Sequence, residues 1–404
     1  MSYCIASYRC YDPKADFHKK ASSIAIGMTV GSWTELPAAK QESMKKHLGE
    51  VISVEVNESE QGERYADIQI AYPDANFSSD IPALLITVFG KISMDGQIKL
   101  TNLQFSDTFL SAFTGPKFGI QGVRDILGIP ERPLLMSIFK SVIGHDLDEL
   151  TRQFTAQALG GVDLIKDDEI LFENELTPIE KRVAACRKAA DDVQAQTGKK
   201  VLYAANLTGH TFKLKEQAKK AIDSGANALL LNVLAYGYDV LHELARDPEI
   251  NIPIMAHPSL AGAYYPSQYY GISASVLLGQ LMRIAGADLV LFPSPYGSVV
   301  MPKAENMAIR EQLVSSTLPF EHSFPVPSAG IHPGLVPLIL KDFGHQVIIN
   351  AGGGIHGHPE GASAGGKAFQ QAIDAALAGT SLADYAAQGH HELRQALELW
   401  GGEQ

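Results

Sequence analysis

Alternating and β-branched runs mark four short strands in the first third of the chain, at 4–10, 51–56, 65–71 and 97–105. Stretches of helical period, 16–29 and 77–89, fall after the first and third of these. Strand, helix, strand, strand, helix, strand is the ferredoxin-like order. The polar, glycine-bearing stretch NESEQGERY joins the middle pair as a hairpin loop should. Gly115, Pro116, Gly119 and Gly122 then suggest a linker with a short helix at 122–127.

From Arg132 the texture changes. Eight short apolar runs, at 132–140, 161–166, 200–206, 227–233, 252–257, 287–294, 324–330 and 346–352, each lead into an amphipathic stretch. Near-continuous apolar strands that each feed a helix predict a parallel sheet covered on its faces. The count of eight favours a closed (β/α)₈ TIM barrel over an open doubly wound sheet. The expected fold is therefore α/β: a small ferredoxin-like α+β domain at 1–128, then a barrel at 129–404.

Composition narrows the function. The chain has 404 residues and 46% hydrophobic positions, enough for a sizeable core. Its formal charge of −12 argues against sequence-independent nucleic-acid binding, which needs basic surface. Three cysteines, Cys4, Cys10 and Cys186, make no disulfide framework, and a reducing cytoplasm is expected. No run has the length of a membrane span, and the first residues lack the pattern of a signal peptide.

Barrel active sites lie at the carboxyl ends of the strands. Polar residues gather there: Lys140, the run Lys166-Asp167-Asp168-Glu169, Asn206, Asn232, His257, Ser294, Ser328 and the glycines around Gly330 and Gly352–Gly354. Carboxylates closing an apolar strand suit a hard divalent cation such as Mg²⁺. A protonated lysine is a poor neighbour for a cation, but one capped by CO₂ becomes an anionic oxygen ligand. Glycine-rich loops after strands 7 and 8 commonly hold phosphate. His332, His356 and His358 could be read as a zinc cluster, but no cysteine lies nearby and turn histidines are usually solvated or hydrogen-bonded.

These motifs resemble the RuBisCO superfamily. GGVDLIKDDE (160–169) is similar to the metal motif GGLDFTKDDE, and SAGIH (328–332) and AGGGIHGHPEG (351–361) to SGGIH and FGGGTLGHPWG. Residues 114–140 resemble the segment leading into the first barrel strand, and GSW (31–33) the GTW of the small domain. The departures matter as much. Val142 replaces the second lysine of the carboxylases' KPK, Gly27 replaces a glutamate, and Lys303 is displaced in GSVVMPKAE. Lys91, in FGK, stands where carboxylases have asparagine.

That pattern looks like the RuBisCO-like enolases of methionine salvage. The resemblance implies Lys91 as general base, acting across a homodimer interface on a phosphorylated diketone. It implies one Mg²⁺ per subunit held by N6-carboxylated Lys166, Asp168 and Glu169. It further implies substrate contacts from Lys140, Lys166, Asp167, Asp168, Glu169, His257, Gly330, Gly352 and Gly353. Another RuBisCO-like isomerase of a sugar phosphate, or a ribulose-bisphosphate carboxylase, are the alternatives. Met28, Leu260, Tyr264 and Tyr265 are candidates for an apolar tail pocket, with core packing the competing reading.

Overall fold

The computed structural model describes residues 2–31 and 37–402. Ser32 and Trp33 of the GSW motif lie outside the described residues.

The small domain follows the expected order. Strands Tyr3–Tyr11, Glu50–Glu58, Arg64–Pro73 and Gln97–Gln104 pair antiparallel, with Tyr3–Tyr11 between Arg64–Pro73 and Gln97–Gln104. Strand alternation decides which side is buried: Cys4, Ala6, Tyr8 and Cys10 are buried and the intervening residues half-exposed. Helix Phe17–Gly27 starts at Asp16, whose side chain accepts from Lys19 N, and buries Phe17, Ala21, Ile24 and Ala25. The second helical stretch is less regular. Helix Ile81–Leu85 passes into a wider turn, Ile86–Gly90, and then a tight one, Lys91–Met94.

The sheet has a fifth strand that the hydrophobic pattern did not predict. Gly271–Ile272, from the loop after the fifth barrel strand, pairs in parallel with Lys99 and Leu100. Lys99 Nζ also donates to the carbonyls of Tyr265 and Ser267, at 2.7 and 2.6 Å. The small domain is thus tied to the loop that follows His257.

All eight predicted barrel strands are present: Leu134–Ile138, Leu164–Lys166, Leu202–Asn206, Ala228–Leu231, Ile254–Ala256, Leu289–Pro293, Phe324–Ser328 and Ile348–Ala351. Seven parallel pairings run from the eighth strand through the first to the seventh. The seventh and eighth lie side by side, and Asn350 Nδ2 donates to Ser328 Oγ across that seam at 2.9 Å.

The period of two along each strand sorts residues between two cores. Leu134, Met136, Leu164, Leu202, Ala204, Ala228, Leu230, Met255, Leu291, Val326 and Ile348 fill the barrel interior. Leu135, Ile165, Tyr203, Ala205, Leu229 and Val290 pack outward against the helices. Helix Gly119–Leu127, which the expected division at 128/129 leaves with the small domain, packs Ile120, Val123 and Leu127 into the barrel's lower core. Asp288, fully buried, accepts from Phe118 N, Gly119 N and Ile254 N at 2.7–2.8 Å and fastens that helix to the fifth and sixth strands.

Candidate active site

Extending each inward-facing series by one more step of two reaches the carboxyl ends of the strands. The residues found there are Ile138, Lys166, Asn206, Asn232, His257, Pro293, Ser328 and Asn350. Six of these eight line a cavity of about 430 Å³ in the barrel mouth, together with Lys140 and Glu169. Its other wall is apolar, with Leu260, Ala261, Tyr265 and Val299.

The charged residues form one chain of contacts. Lys140 Nζ lies 3.0 Å from Asp168 Oδ2. Lys166 Nζ donates to Asp167 O at 2.9 Å and to Glu169 Oε2 at 3.3 Å. His257 Nε2 is 3.4 Å from the same Glu169 oxygen. Ser259 N donates to His257 Nδ1, so the neutral imidazole carries its proton on Nε2, facing Glu169.

Burial sets the protonation states. Lys166 is almost wholly buried, and burial lowers its pKa against the opposing pull of Glu169 and Asp168. Burial, aided by the Lys166 charge, pushes His257 well below the ordinary histidine value. Burial alone would raise the Glu169 carboxyl, but Lys166 beside it holds it below the usual carboxylate range.

These residues fit a divalent cation bound through oxygen. Asp168 and Glu169 are hard oxygen donors at the mouth, and the Lys166 amine sits against Glu169. A carboxyl group added to that amine would supply a third oxygen ligand from the same strand end. Among the described residues no cluster of three or more His, Cys, Asp or Glu suits a metal without that modification. The three turn histidines are engaged separately: His356 Nε2 with Ile138 O, His358 Nε2 with Glu392 O, and His332 stacked on Trp400.

Gly330, Gly352 and Gly353 are expected to contact substrate. Gly330 (φ +69°) follows Ala329, which lines the cavity, and a Cβ on Gly330 would fall 2.3 Å from Ser298 N. A Cβ on Gly352 would fall 2.7 Å from Lys140 Cε, so the glycine makes room for the lysine. Gly353 is exposed at the start of the short helix Gly353–His356. None of the three is among the residues lining the cavity.

Asp167, expected to touch substrate, has a fully buried side chain turned into the barrel wall, because it falls on the outward phase of its strand. Lys91 lies elsewhere, exposed in a cleft of about 120 Å³ with Lys20, Ser23, Gly27 and Met28 of its own small domain. Met28 therefore lines that cleft and not the barrel cavity, whereas Leu260 and Tyr265 do line the latter. Tyr264 borders a separate groove between the two domains. Lys303 is not among the residues lining the cavity and pairs with Asp342 at 2.7 Å.

Sequence reasoning missed Asn350, Ile138 and Val299 as cavity residues. Strand periodicity would have found the first two. Asn350 is buried, and its Oδ1 has no hydrogen-bond partner among the described residues.

Two family profiles match the chain: the ribulose bisphosphate carboxylase large-chain N-terminal domain over residues 3–112, and its catalytic domain over 119–400. A protein of Bacillus licheniformis named 2,3-diketo-5-methylthiopentyl-1-phosphate enolase is 56% identical over 401 residues, covering 99% of this chain and 98% of that one. One of the same name from Geobacillus thermodenitrificans is 55% identical over 409 residues, with the same coverage. The crystal structure of a rubisco-like protein (MtnW) from Alicyclobacillus acidocaldarius superposes with a TM-score of 0.93 at 49% identity, covering 99% of this chain and all of that one. A dimeric archaeal Rubisco from Hyperthermus butylicus gives 0.87 at 29% identity, covering 99% and 96%.

Proposed function

We propose that this chain, which belongs to the ribulose bisphosphate carboxylase large-chain family, is an enolase of methionine salvage. It would convert 2,3-diketo-5-methylthiopentyl-1-phosphate to 2-hydroxy-3-keto-5-methylthiopentenyl-1-phosphate by removing a proton from C1. The carrying observation is the two-sided cavity. Lys140, Lys166, Glu169 and His257 form one wall, and Leu260, Ala261, Tyr265 and Val299 form the other. Such a site suits a substrate that is charged and oxygen-rich at one end and apolar at the other. The relatives sharing more than half of the sequence bear the enolase name.

Carboxylation of the substrate is disfavoured by Lys303, which is paired with Asp342 and does not line the cavity. An isomerase of another sugar phosphate is disfavoured by the apolar wall, which offers nothing to a row of hydroxyls.

Each residue then has a role. Burial keeps a fraction of Lys166 neutral, and the neutral amine can attack CO₂: an N–C bond forms, a C=O π pair moves onto oxygen, and one N–H proton leaves. The carboxylated Lys166, Asp168 and Glu169 would hold Mg²⁺. When bound, the cation supplies Lewis acidity that favours the enolate. Lys140 would steady the developing negative charge or a substrate oxygen. Neutral His257 offers its Nε2 proton at the same wall. Backbone amides near Gly330, Gly352 and Gly353 would receive the phosphate.

Lys91, once deprotonated, would take the C1 proton. In one chain it belongs to a different cleft, so the reading requires the small domain of a second copy over the barrel mouth. An apolar groove of about 620 Å³ beside the mouth, with exposed Ile143, Ile170, Phe172 and Leu176, supports such a homodimer. A cytoplasmic location fits three buried free cysteines. No helix among the described residues is long and apolar enough to cross a membrane.

The test is deuterium exchange at C1 of the diketone phosphate, followed by NMR. Exchange should require the protein, Mg²⁺ and bicarbonate together. Exchange that persists without Mg²⁺ and bicarbonate, or none at all with both present, overturns the reading.

A further inference from the structure

Asp167 is the least exposed carboxylate of the KDDE run, and four donors meet it. Tyr203 Oη donates to Oδ1 at 2.6 Å. Oδ2 accepts from Arg182 Nε at 3.1 Å and from Asn206 N at 2.8 Å, and Arg182 Nη2 lies 3.1 Å away. Arg182 Nη1 donates in turn to Thr177 O at 2.6 Å. Arg182 sits on helix Ile179–Thr197, and Tyr203 and Asn206 on the third barrel strand. Asp167 and Arg182 are fully buried and Tyr203 nearly so.

The backbone of Asp167 faces the other way. Its N–H donates to Ala204 O at 3.0 Å, and its carbonyl accepts from Lys166 Nζ at 2.9 Å. One residue therefore joins the helix layer, the third strand and the amine of Lys166. Burying a guanidinium and a carboxylate rarely adds net stability, since well-packed apolar residues of similar volume do as well. The pair is better explained by what it aligns.

We propose that Asp167, Arg182 and Tyr203 are positioning residues: a buried clamp that fixes the turn at which Lys166, Asp168 and Glu169 converge, without touching substrate. This rests on the enolase reading only in taking those three residues as the ligand set.

The experiment compares Asp167→Asn, Arg182→Met, Asp167→Asn/Arg182→Met and Tyr203→Phe with the unaltered chain. Mg²⁺ affinity is measured by equilibrium dialysis in bicarbonate, carboxylation of Lys166 by ¹³C NMR with labelled bicarbonate, and kcat and KM at saturating Mg²⁺. Folding is checked by circular dichroism. A group that orients metal ligands typically affects affinity by roughly 10–100-fold, and a loss of that order is expected in every folded variant. The ¹³C signal should fall with it, while KM stays within about twofold. Should the single charge variants not fold, the double variant and Tyr203→Phe decide. Folded variants that keep full Mg²⁺ affinity and carboxylation overturn the clamp, and so does a raised KM with unchanged Mg²⁺ binding, which would return Asp167 to substrate contact. Failure of the unaltered chain itself to take up CO₂ and Mg²⁺ would instead sink the ligand assignment.

Discussion

Gly352→Ala should separate activity from stability. The backbone at Gly352 is φ −99°, ψ −78°, at the edge of the right-handed region, so alanine there needs no left-handed conformation. The added Cβ would lie 2.7 Å from Lys140 Cε. Carbon atoms prefer about 3.5 Å or more, so the lysine must retreat by about 0.8 Å. Lys140 is half-exposed and flexible, and it can do so without disturbing the core. Restricting the unfolded chain and worsening a helix N-cap act in opposite directions, so the net stability change should stay within about 1 kcal/mol. The catalytic cost should be larger. Lys140 Nζ is held 3.0 Å from Asp168, and misplacing a gripping group by about 1 Å can cost about 100-fold, or about 2.7 kcal/mol of transition-state stabilisation. Thermal midpoints and steady-state kinetics of the two chains provide the assay. If the variant works within twofold of the unaltered enzyme, the position of Lys140 is not what Gly352 protects. If it melts many degrees lower, the glycine is structural and the reasoning fails.

Gly330→Ala should behave oppositely: with φ +69° and a Cβ 2.3 Å from the Ser298 backbone nitrogen, it should lower the thermal midpoint, with strain of about 1–2 kcal/mol from the left-handed conformation alone. Lys166→Ala should lose bicarbonate-dependent Mg²⁺ binding and C1 exchange together, and a fully active variant would refute carboxylation. Lys91→Ala and Lys166→Ala should each be inactive alone, but mixed and reassembled in equal amounts they should recover up to about a quarter of wild-type activity, since half the dimers would carry one intact site of two. No recovery from demonstrated mixed dimers would refute a shared site. Asp288 offers a pH test: burial raises its pKa from 3.8 to about 6 in the folded protein. The native state therefore binds its proton more tightly, and the contribution is fully favourable below about pH 4 and lost as pH rises through about 6. The difference is about 3 kcal/mol in order of magnitude. Denaturation of Asp288→Asn at pH 4.5 and 7.5 should lack that part of the pH dependence.

Much of the architecture was legible because its signals are local. Eight apolar runs, each followed by an amphipathic stretch, were enough for the barrel, and Tyr3–Tyr11 alternates cleanly enough to assign the small sheet. Gly271–Ile272 was not legible, since two residues have no period and their pairing depends on a partner more than 160 positions away. The irregular turn ahead of Lys91 was hidden for a related reason: Ile86–Gly90 keeps the apolar spacing of a helix while its hydrogen bonding widens. The motif resemblance named Lys140, Lys166, Glu169 and His257, all of which line one cavity. It also implied that Lys91 acts from a second copy, and within one chain Lys91 and this cavity lie apart.

The burial of the Asp167 side chain has a general physical basis. A motif treats KDDE as one unit, whereas a strand divides it by alternation. Leu164 faces the barrel interior, so Lys166 continues inward, and Ile165 faces the helices, so Asp167 continues outward. The outward phase explains why the residue beside two implied metal ligands meets an arginine and a tyrosine instead of solvent. The same parity, carried from Ile348, sends Asn350 into the cavity although no motif marks it. A motif therefore says which chemistry gathers at a strand end, and the phase of the strand says which of its residues can reach it.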